Sequence, residues 1–209
     1  MKPLLLRLLL LLCGAVTPQP VPVHVTFTPL TKAAYLQAVK ERIVINPRVT
    51  FPLKKEHGRL VIPSAKGAHV FRDGWVDGEH DEDTHYKYLG YWSHLHWHLV
   101  EGYHYSEAYR LNVLTQSGQW LKLEELPVLA PGISQFIVVS GSLDYIAPPA
   151  IQLFRFKKGS WQEVWKAEPK TWEPEQIDWL SPTTLLLKQK HWNKDFSRAW
   201  YTYARLTIH

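Results

Sequence analysis

The chain has 209 residues, of which 45% are hydrophobic, so it is not a disordered polypeptide and one domain can bury a core. Its formal net charge is +5, and the sequence contains no run of five basic residues. This excludes the concentrated basic face of a nucleic-acid-binding protein. Scattered Pro and Gly residues among many aromatic residues are typical of short strands joined by turns.

The first fifteen residues, MKPLLLRLLLLLCGA, are typical of a secretory signal peptide with cleavage after Ala15. The apolar run is too short to cross roughly 30 Å of hydrocarbon, so we expect no transmembrane span in the mature chain. We expect export to the periplasm or the cell exterior. In the alternative, acylation of Cys13 anchors the protein to an outer membrane surface, although Leu12 is not the small residue usual before such a cysteine.

Residues 16–26 are rich in proline and predict an extended linker. Residues 27–209 are expected to form a single domain that opens with a helix over about 31–43. Thr31 can cap this helix and Pro47 follows its end.

From Arg59 onward, short hydrophobic runs between turn residues predict strands. In chain order they are RLVIP, AHVFR, HYKYLGYW, HLHWHLV, EAYRLNVLT, QWLKLEE, QFIVVSG, IQLFRFK, SWQEVWK, TLLLKQK and AWYTYARLTI. Strands do not alternate with helices, so antiparallel sheets are expected.

Landmarks of one predicted hairpin recur some 41 or 42 residues later. The recurring pairs are Leu111 and Leu153, Gly118 and Gly159, and Trp120 and Trp161. A period in the low forties is that of a four-stranded propeller blade. We therefore predict an all-β fold of antiparallel propeller-like blades, arranged as a partial propeller or a sandwich, with one N-terminal helix.

The chain also resembles an uncharacterised family of exported bacterial proteins with propeller-like, WD40-like β-sheets. The resemblance rests on PLTKAAYLQAVK, VFRDGWVDGEHDED, YKYLGYW, HLVEGYHYSEAYRLNVLTQSGQ, LPVLAPG and WEPEQIDWLSPTTLLLKQK, in that order. It implies the fold and export, and it brings no known activity or catalytic residue.

The segment YWSHLHWHLV, which starts at Tyr91, alternates histidines with apolar residues. On a strand, alternate residues share a face. The solvent-exposed face would present Trp92, His94, His96 and His98. The opposite, core face would present Leu95, Trp97 and Leu99. Neighbouring histidines would stand about 6.8 Å apart, too far for three to hold one ion. We therefore predict a polar face that binds a ligand together with Tyr103.

A metal site is the alternative for this region. His94 and His96 could bind Zn²⁺ with a ligand from another strand. The acidic segment RDGWVDGEHDED could offer oxygen ligands to Ca²⁺ from Asp77, Asp81 and Asp83. Its spacing does not match an EF-hand, and a solvated turn is the simpler interpretation.

Together these patterns predict an exported, non-enzymatic binding or scaffold protein for an unknown protein or glycan, with no cofactor. The competing hypothesis is a metal-dependent or glycan-directed hydrolase that uses the histidine-rich strand or the acidic loop. No nucleophile, Walker or dinucleotide-binding motif occurs in the sequence.

The first prediction concerns export. We expect the secreted protein to start near Val16 and to contain no thiol, because Cys13 is the only cysteine and leaves with the signal. Intact-mass spectrometry of secreted material measures this. Retention of residues 1–15 would contradict cleavage, and an acyl mass on Cys13 would place the protein at a membrane surface.

Overall fold

The structure, a computed structural model, describes residues 23–76, 78–80, 83–104, 107–143 and 148–209. Strands account for 59% of these residues and helices for 6%, which confirms a mostly β fold. The strands are β1 (Val25–Leu30), β2 (Val49–Thr50), β3 (Arg59–Ser64), β4 (Gly67–Arg72), β5 (Trp75–Val76), β6 (Glu79–His80), β7 (His85–Trp92), β8 (Trp97–His104), β9 (Glu107–Thr115), β10 (Trp120–Leu123), β11 (Val128–Leu129), β12 (Gln135–Ser140), β13 (Ala150–Lys157), β14 (Ser160–Ala167), β15 (Glu173–Ser181), β16 (Thr184–Trp192) and β17 (Ala199–Ile208).

Most strands belong to three antiparallel sheets, and none of these closes on itself within the described residues. The first sheet is the meander β7–β8–β9–β10, with β2 beside β7. The middle sheet is the meander β11–β12–β13–β14. The last sheet is β15–β16–β17, with β1 beside β17. The hairpins β3–β4 and β5–β6 stand outside these sheets.

Both faces of the middle sheet are buried, because successive residues of a strand point to opposite sides. Phe136 packs towards the first sheet and Ile137 packs towards the last sheet. The cluster between the first and middle sheets comprises Trp92, Trp97, Leu99, Leu111, Val113, Leu121, Leu123, Leu129, Phe136, Val138, Phe154 and Trp161. The cluster between the middle and last sheets comprises Ala130, Ile137, Ile151, Leu153, Ile177, Trp179, Leu185, Leu187, Ala204, Leu206 and Ile208. The three sheets therefore form a stack.

The β3–β4 hairpin covers the second face of the first sheet. Its inward residues pack with two residues of β8 and β9, and the cluster comprises Leu60, Ile62, Phe71, Val100 and Leu114. The hairpin register places the alternate residues on the outward side, and these are the exposed Arg59, Val61, Val70 and Arg72. The hairpin is thus a fourth layer with an uncovered outer face.

The N-terminal strand β1 pairs with the C-terminal strand β17, from Val25 opposite Ile208 to Leu30 opposite Tyr203. The predicted linker over 16–26 is therefore wrong at its end, because residues 25 and 26 begin β1. The rest of it before residue 23, and the predicted signal peptide, lie outside the described residues.

The described part of the chain has one α-helix, α1 (Lys32–Ala38), which continues as a 3₁₀ turn over Val39–Glu41. The Thr31 hydroxyl caps it by accepting from the Ala34 N–H at 3.2 Å. The helix ends before the predicted residue 43, because the Ile43 N–H bonds the Trp179 carbonyl in a β-bridge. No helix among the described residues is long and apolar enough to span a membrane.

The two predicted repeat hairpins, β9–β10 and β13–β14, occupy the same places in the first and middle sheets. Gly118 and Gly159 turn them at φ values of +79° and +80°, which glycine adopts without steric cost. Trp120 and Trp161 lie at the start of the strands that follow these turns. Each ring packs against the layer that precedes its own sheet in the stack. Trp120 contacts the β3–β4 hairpin, and Trp161 contacts the first sheet.

The second prediction concerns the two core clusters. Leu111→Ala and Leu153→Ala should each lower the free energy of unfolding by about 2–5 kcal/mol, because each leaves a cavity between two sheets. Urea unfolding measures the change. The matched control, Leu126→Ala, removes a side chain that is 53% exposed and should stay within about 0.5 kcal/mol of wild type. Equal, near-zero effects of all three substitutions would contradict the stacked core.

Candidate functional site

The histidine-rich segment is a turn followed by a strand, so the predicted alternation of faces from Trp92 to Leu99 along a strand is wrong. Residues 93–96 form the turn between β7 and β8, and β8 begins only at Trp97. His96 adopts a left-handed backbone with φ of +53°. His94 and His96 are exposed turn residues, and the Nδ1 of His96 lies 2.7 Å from the Tyr91 hydroxyl oxygen.

His98 is buried, which contradicts the prediction that it shares an exposed face with His94 and His96. It is 9% exposed and packs against the rings of Tyr88 and Tyr91. Burial lowers the pKa of His98 below its ordinary value. Burial, with a smaller contribution from Tyr91, raises the pKa of Tyr88 to about 12. The Tyr88 hydroxyl lies 2.9 Å from the His98 Nδ1, so the neutral imidazole can accept its proton in a hydrogen bond.

The two aromatic residues predicted to bind a ligand have different surroundings. Trp92 is buried in the core and stacks on Trp97, with ring centroids 6.1 Å apart. Tyr103 is 39% exposed, and its ring lies 5.5 Å from the ring of His85. Tyr103 thus lies at the surface beside β7, whereas Trp92 belongs to the core.

The predicted metal ligands do not come together where the structure describes them. In the described parts of the chain, no three His, Cys, Asp or Glu side chains form a group that could hold a metal ion. Asp77 and Asp81 lie outside those parts. Asp83 is exposed, as are His94 and His96 in the turn.

The segment 51–57 borders two open clefts that share Leu53 and Lys54. The larger cleft has a volume of about 920 Å³ and is lined by Pro52, Leu53, Lys54, Glu56, His57, Arg59, Val61, Val70 and Arg72. The smaller cleft has a volume of about 460 Å³ and is lined by Phe51, Leu53, Lys54, Lys55, Tyr86, Lys87, Tyr88 and Tyr103. The two clefts together join the outer face of the β3–β4 hairpin to the aromatic residues of the first sheet.

An ion pair holds this segment against the first sheet. The Lys55 Nζ lies 2.6 Å from the Asp73 Oδ2 and donates to the Tyr86 carbonyl at 2.7 Å. The Tyr86 N–H donates to the Asp73 Oδ1 at 2.8 Å. The charge of Lys55 is therefore compensated, and Lys55 positions the cleft wall.

Glycine at position 90 allows β2 to pack closely against β7. The chain continues from β2 directly into the segment 51–57 that forms the cleft wall. Gly90 has φ of +113°, and a Cβ there would lie 2.5 Å from the Val49 Cγ1 and 2.9 Å from the Thr50 carbonyl oxygen. The chain then places the Phe51 ring edge-on to the Tyr88 ring, at 6.1 Å between centroids. Phe51 is 67% exposed in this position.

Positive charge dominates the larger cleft. Arg59 and Arg72 are direct cross-strand partners on the outward side of the hairpin, and Lys54 lines the same cleft. Arg59 and Lys54 form no ion pair with any residue that the structure describes. The Arg72 guanidinium lies 5.0 Å from the centre of the Trp75 ring. Glu56 is the acidic residue of the lining, so the cleft favours an anion.

Sequence reasoning missed this cleft. The stretch FPLKKEHGR, which starts at Phe51, combines an aromatic ring with three basic residues and was the available signal. Arg72 comes from a different stretch, and only the pairing of β3 with β4 places it opposite Arg59.

Comparison with protein-family models, with curated proteins and with solved structures gives no match to this chain.

The third prediction concerns buried His98. Its folded-state pKa is lowered, whereas the unfolded residue titrates near pH 6.5, so the unfolded chain binds more protons as the pH falls below about 6.5. The free energy of unfolding should therefore fall between pH 8 and pH 5. His98→Gln should reduce this fall, which urea unfolding at the two pH values measures.

Part of the fall should remain in this variant, because burial also lowers the pKa of His69. His94→Gln, in the exposed turn, is the matched control and should keep the full fall. An identical pH dependence in wild type and His98→Gln would contradict the buried neutral imidazole.

Proposed function

We propose that the protein is an exported, non-enzymatic binding protein whose paired clefts hold an acidic glycan. The observation that supports this most is the opposed pair Arg59 and Arg72 beside Lys54 in an open cleft. Like charges directly opposite each other on two strands destabilise the pair. A bound anion offsets this repulsion, because each guanidinium can donate two hydrogen bonds to a carboxylate or sulfate.

The adjoining smaller cleft favours a glycan over a simple anion. Its lining places the aromatic rings of Phe51, Tyr86, Tyr88 and Tyr103 beside the amines of Lys54 and Lys87. Aromatic faces pack against the apolar C–H faces of sugar rings, while ammonium groups attract carboxylates. A chain of acidic sugars would use both clefts at once, because Leu53 and Lys54 belong to both.

Export and the blade arrangement are parts of the same proposal. Export is supported by the N-terminal sequence, with its short apolar run and small residues before Val16. Propeller-like blades are supported by the four-stranded middle sheet, by the repeated glycine hairpins, and by β1, which adds a fourth strand to the last sheet.

The fourth prediction tests the cleft with a soluble oligogalacturonide as the probe. Isothermal titration calorimetry should detect binding that weakens with added salt, because the contacts are ionic. Arg59→Glu with Arg72→Glu should weaken binding at least about 100-fold, since each charge-assisted hydrogen bond contributes about 1.5–3 kcal/mol.

The matched control makes the same charge change elsewhere. Lys194→Glu with Arg198→Glu alters two exposed residues between β16 and β17 and should leave the affinity unchanged. Absence of binding by the wild type, or equal losses in the two double variants, would contradict the proposal.

A further inference from the structure

The outer half of the β16–β17 hairpin extends beyond its neighbouring strands. Pairing of β1 with β17 stops at Tyr203, and pairing of β15 with β16 stops at Lys190. The last pairs of the hairpin, His191 with Trp200 and Trp192 with Ala199, are therefore made only between β16 and β17. We call residues 189–202 the hairpin tip, which comprises this free end and the two adjoining pairs, Gln189 with Thr202 and Lys190 with Tyr201.

One face of the tip continues the core face of the last sheet. Alternate residues of β17 share a side, so Trp200 and Thr202 lie on the same face as the buried Ala204. Trp200 is nevertheless 49% exposed. At Trp200 the face is thus open to solvent, although it holds a large aromatic ring.

A chain of hydrogen bonds fixes the polar groups on this face. The Thr202 hydroxyl donates to the Gln189 Oε1 at 2.9 Å. Its single proton is then used, so it accepts from the His191 Nε2, which lies 2.7 Å away. The Gln189 amide is thereby oriented with its oxygen towards Thr202. Its Nε2 hydrogens keep no partner among the described residues.

The same chain holds the exposed indole in place. His191, fixed by Thr202, stacks on Trp200 with ring centroids 5.3 Å apart and an interplanar angle of 10°. Packing against His191 restricts the rotamers of Trp200, while about half of its surface stays accessible. A binding ring would therefore meet an aromatic surface that is already oriented, at little entropic cost.

The opposite face of the tip is different, because cations already cover its rings. The Lys188 Nζ lies 4.0 Å from the centre of the Tyr201 ring, and the Lys190 Nζ lies 4.2 Å from that of Trp192. The Trp200 face has no lysine or arginine among its paired residues. It offers an apolar ring beside neutral donors and acceptors.

We infer that the Trp200 face is a binding subsite for a neutral sugar. The apolar face of a pyranose would stack on the Trp200 indole, and its hydroxyls would accept from the Gln189 Nε2 and donate to the His191 Nδ1. Cross-strand diagonal neighbours stand about 7–8 Å apart, which places the Gln189 amide at the rim of a stacked sugar ring. This subsite goes beyond the acidic-glycan clefts and uses none of their residues.

The fifth prediction tests the subsite on the full chain with three neutral probes, soluble β-linked oligomers of glucose, N-acetylglucosamine and mannose. Titration calorimetry should detect binding of at least one oligomer, with little dependence on salt. Trp200→Ala should weaken that binding at least about tenfold. Gln189→Leu, which keeps the ring and removes the outward donors, should weaken it about fivefold.

Two controls separate this subsite from other surfaces. Phe156→Ala removes a ring that is 51% exposed on β13, and it should leave neutral-sugar affinity unchanged. Arg59→Glu with Arg72→Glu should also leave it unchanged, whereas Trp200→Ala should keep oligogalacturonide binding. These variants therefore distinguish failure of the neutral-sugar subsite from failure of the acidic-glycan clefts.

Some results would overturn the inference. Absence of binding to all three neutral oligomers does so, as does unchanged affinity in Trp200→Ala. An equal loss in Phe156→Ala would show non-specific contact with exposed rings and also overturns it. A thermal melt of each variant checks folding, and the exposed position of Trp200 predicts an unchanged midpoint.

Discussion

Burial of both faces of the middle sheet is the constraint on which the rest of the structure depends. Phe136 and Ile137 are consecutive in β12 and almost fully buried, yet they pack in separate clusters on opposite sides. Each such side chain contributes roughly 1.5–3 kcal/mol only if a second apolar surface covers it. The first and last sheets must therefore each turn one apolar face inward, and their remaining faces are covered by other means or stay open.

The outermost parts of the stack are where polar and charged groups collect. The first sheet covers its second face with the β3–β4 hairpin, whose own outer side then carries Arg59 and Arg72 without a further layer on it. In the last sheet, helix α1 buries Tyr35 against Tyr203, while the hairpin tip extends past β1. The surface groups can differ at these two places because neither place contributes to the packing of the middle sheet.

Hydrophobic alternation was enough to predict most strands, and it failed where alternation continued through a turn. β7 and β9 match the predicted runs, because their patterns end at turn residues. The turn over residues 93–96 contains no glycine or proline, and its histidines continue the alternation on both sides. The predicted run HLHWHLV therefore starts too early, at His94, whereas the pairing of Trp92 with Trp97 shows that β8 begins at Trp97. The clefts were not predictable for a related reason, since Arg59 and Arg72 meet only through strand register.

The two proposed binding surfaces would increase the affinity for one glycan if that glycan is long enough to contact both of them. A single stacked sugar or a pair of guanidinium contacts gives modest affinity, because exposed groups lose much of their interaction energy to water. A polymer that holds both the cationic clefts and the Trp200 face makes its second contact intramolecularly, at a raised effective concentration. On these two proposals, a long glycan with separate acidic and neutral stretches would bind more tightly than a glycan that occupies a single surface, because the second contact adds affinity without a second bimolecular step.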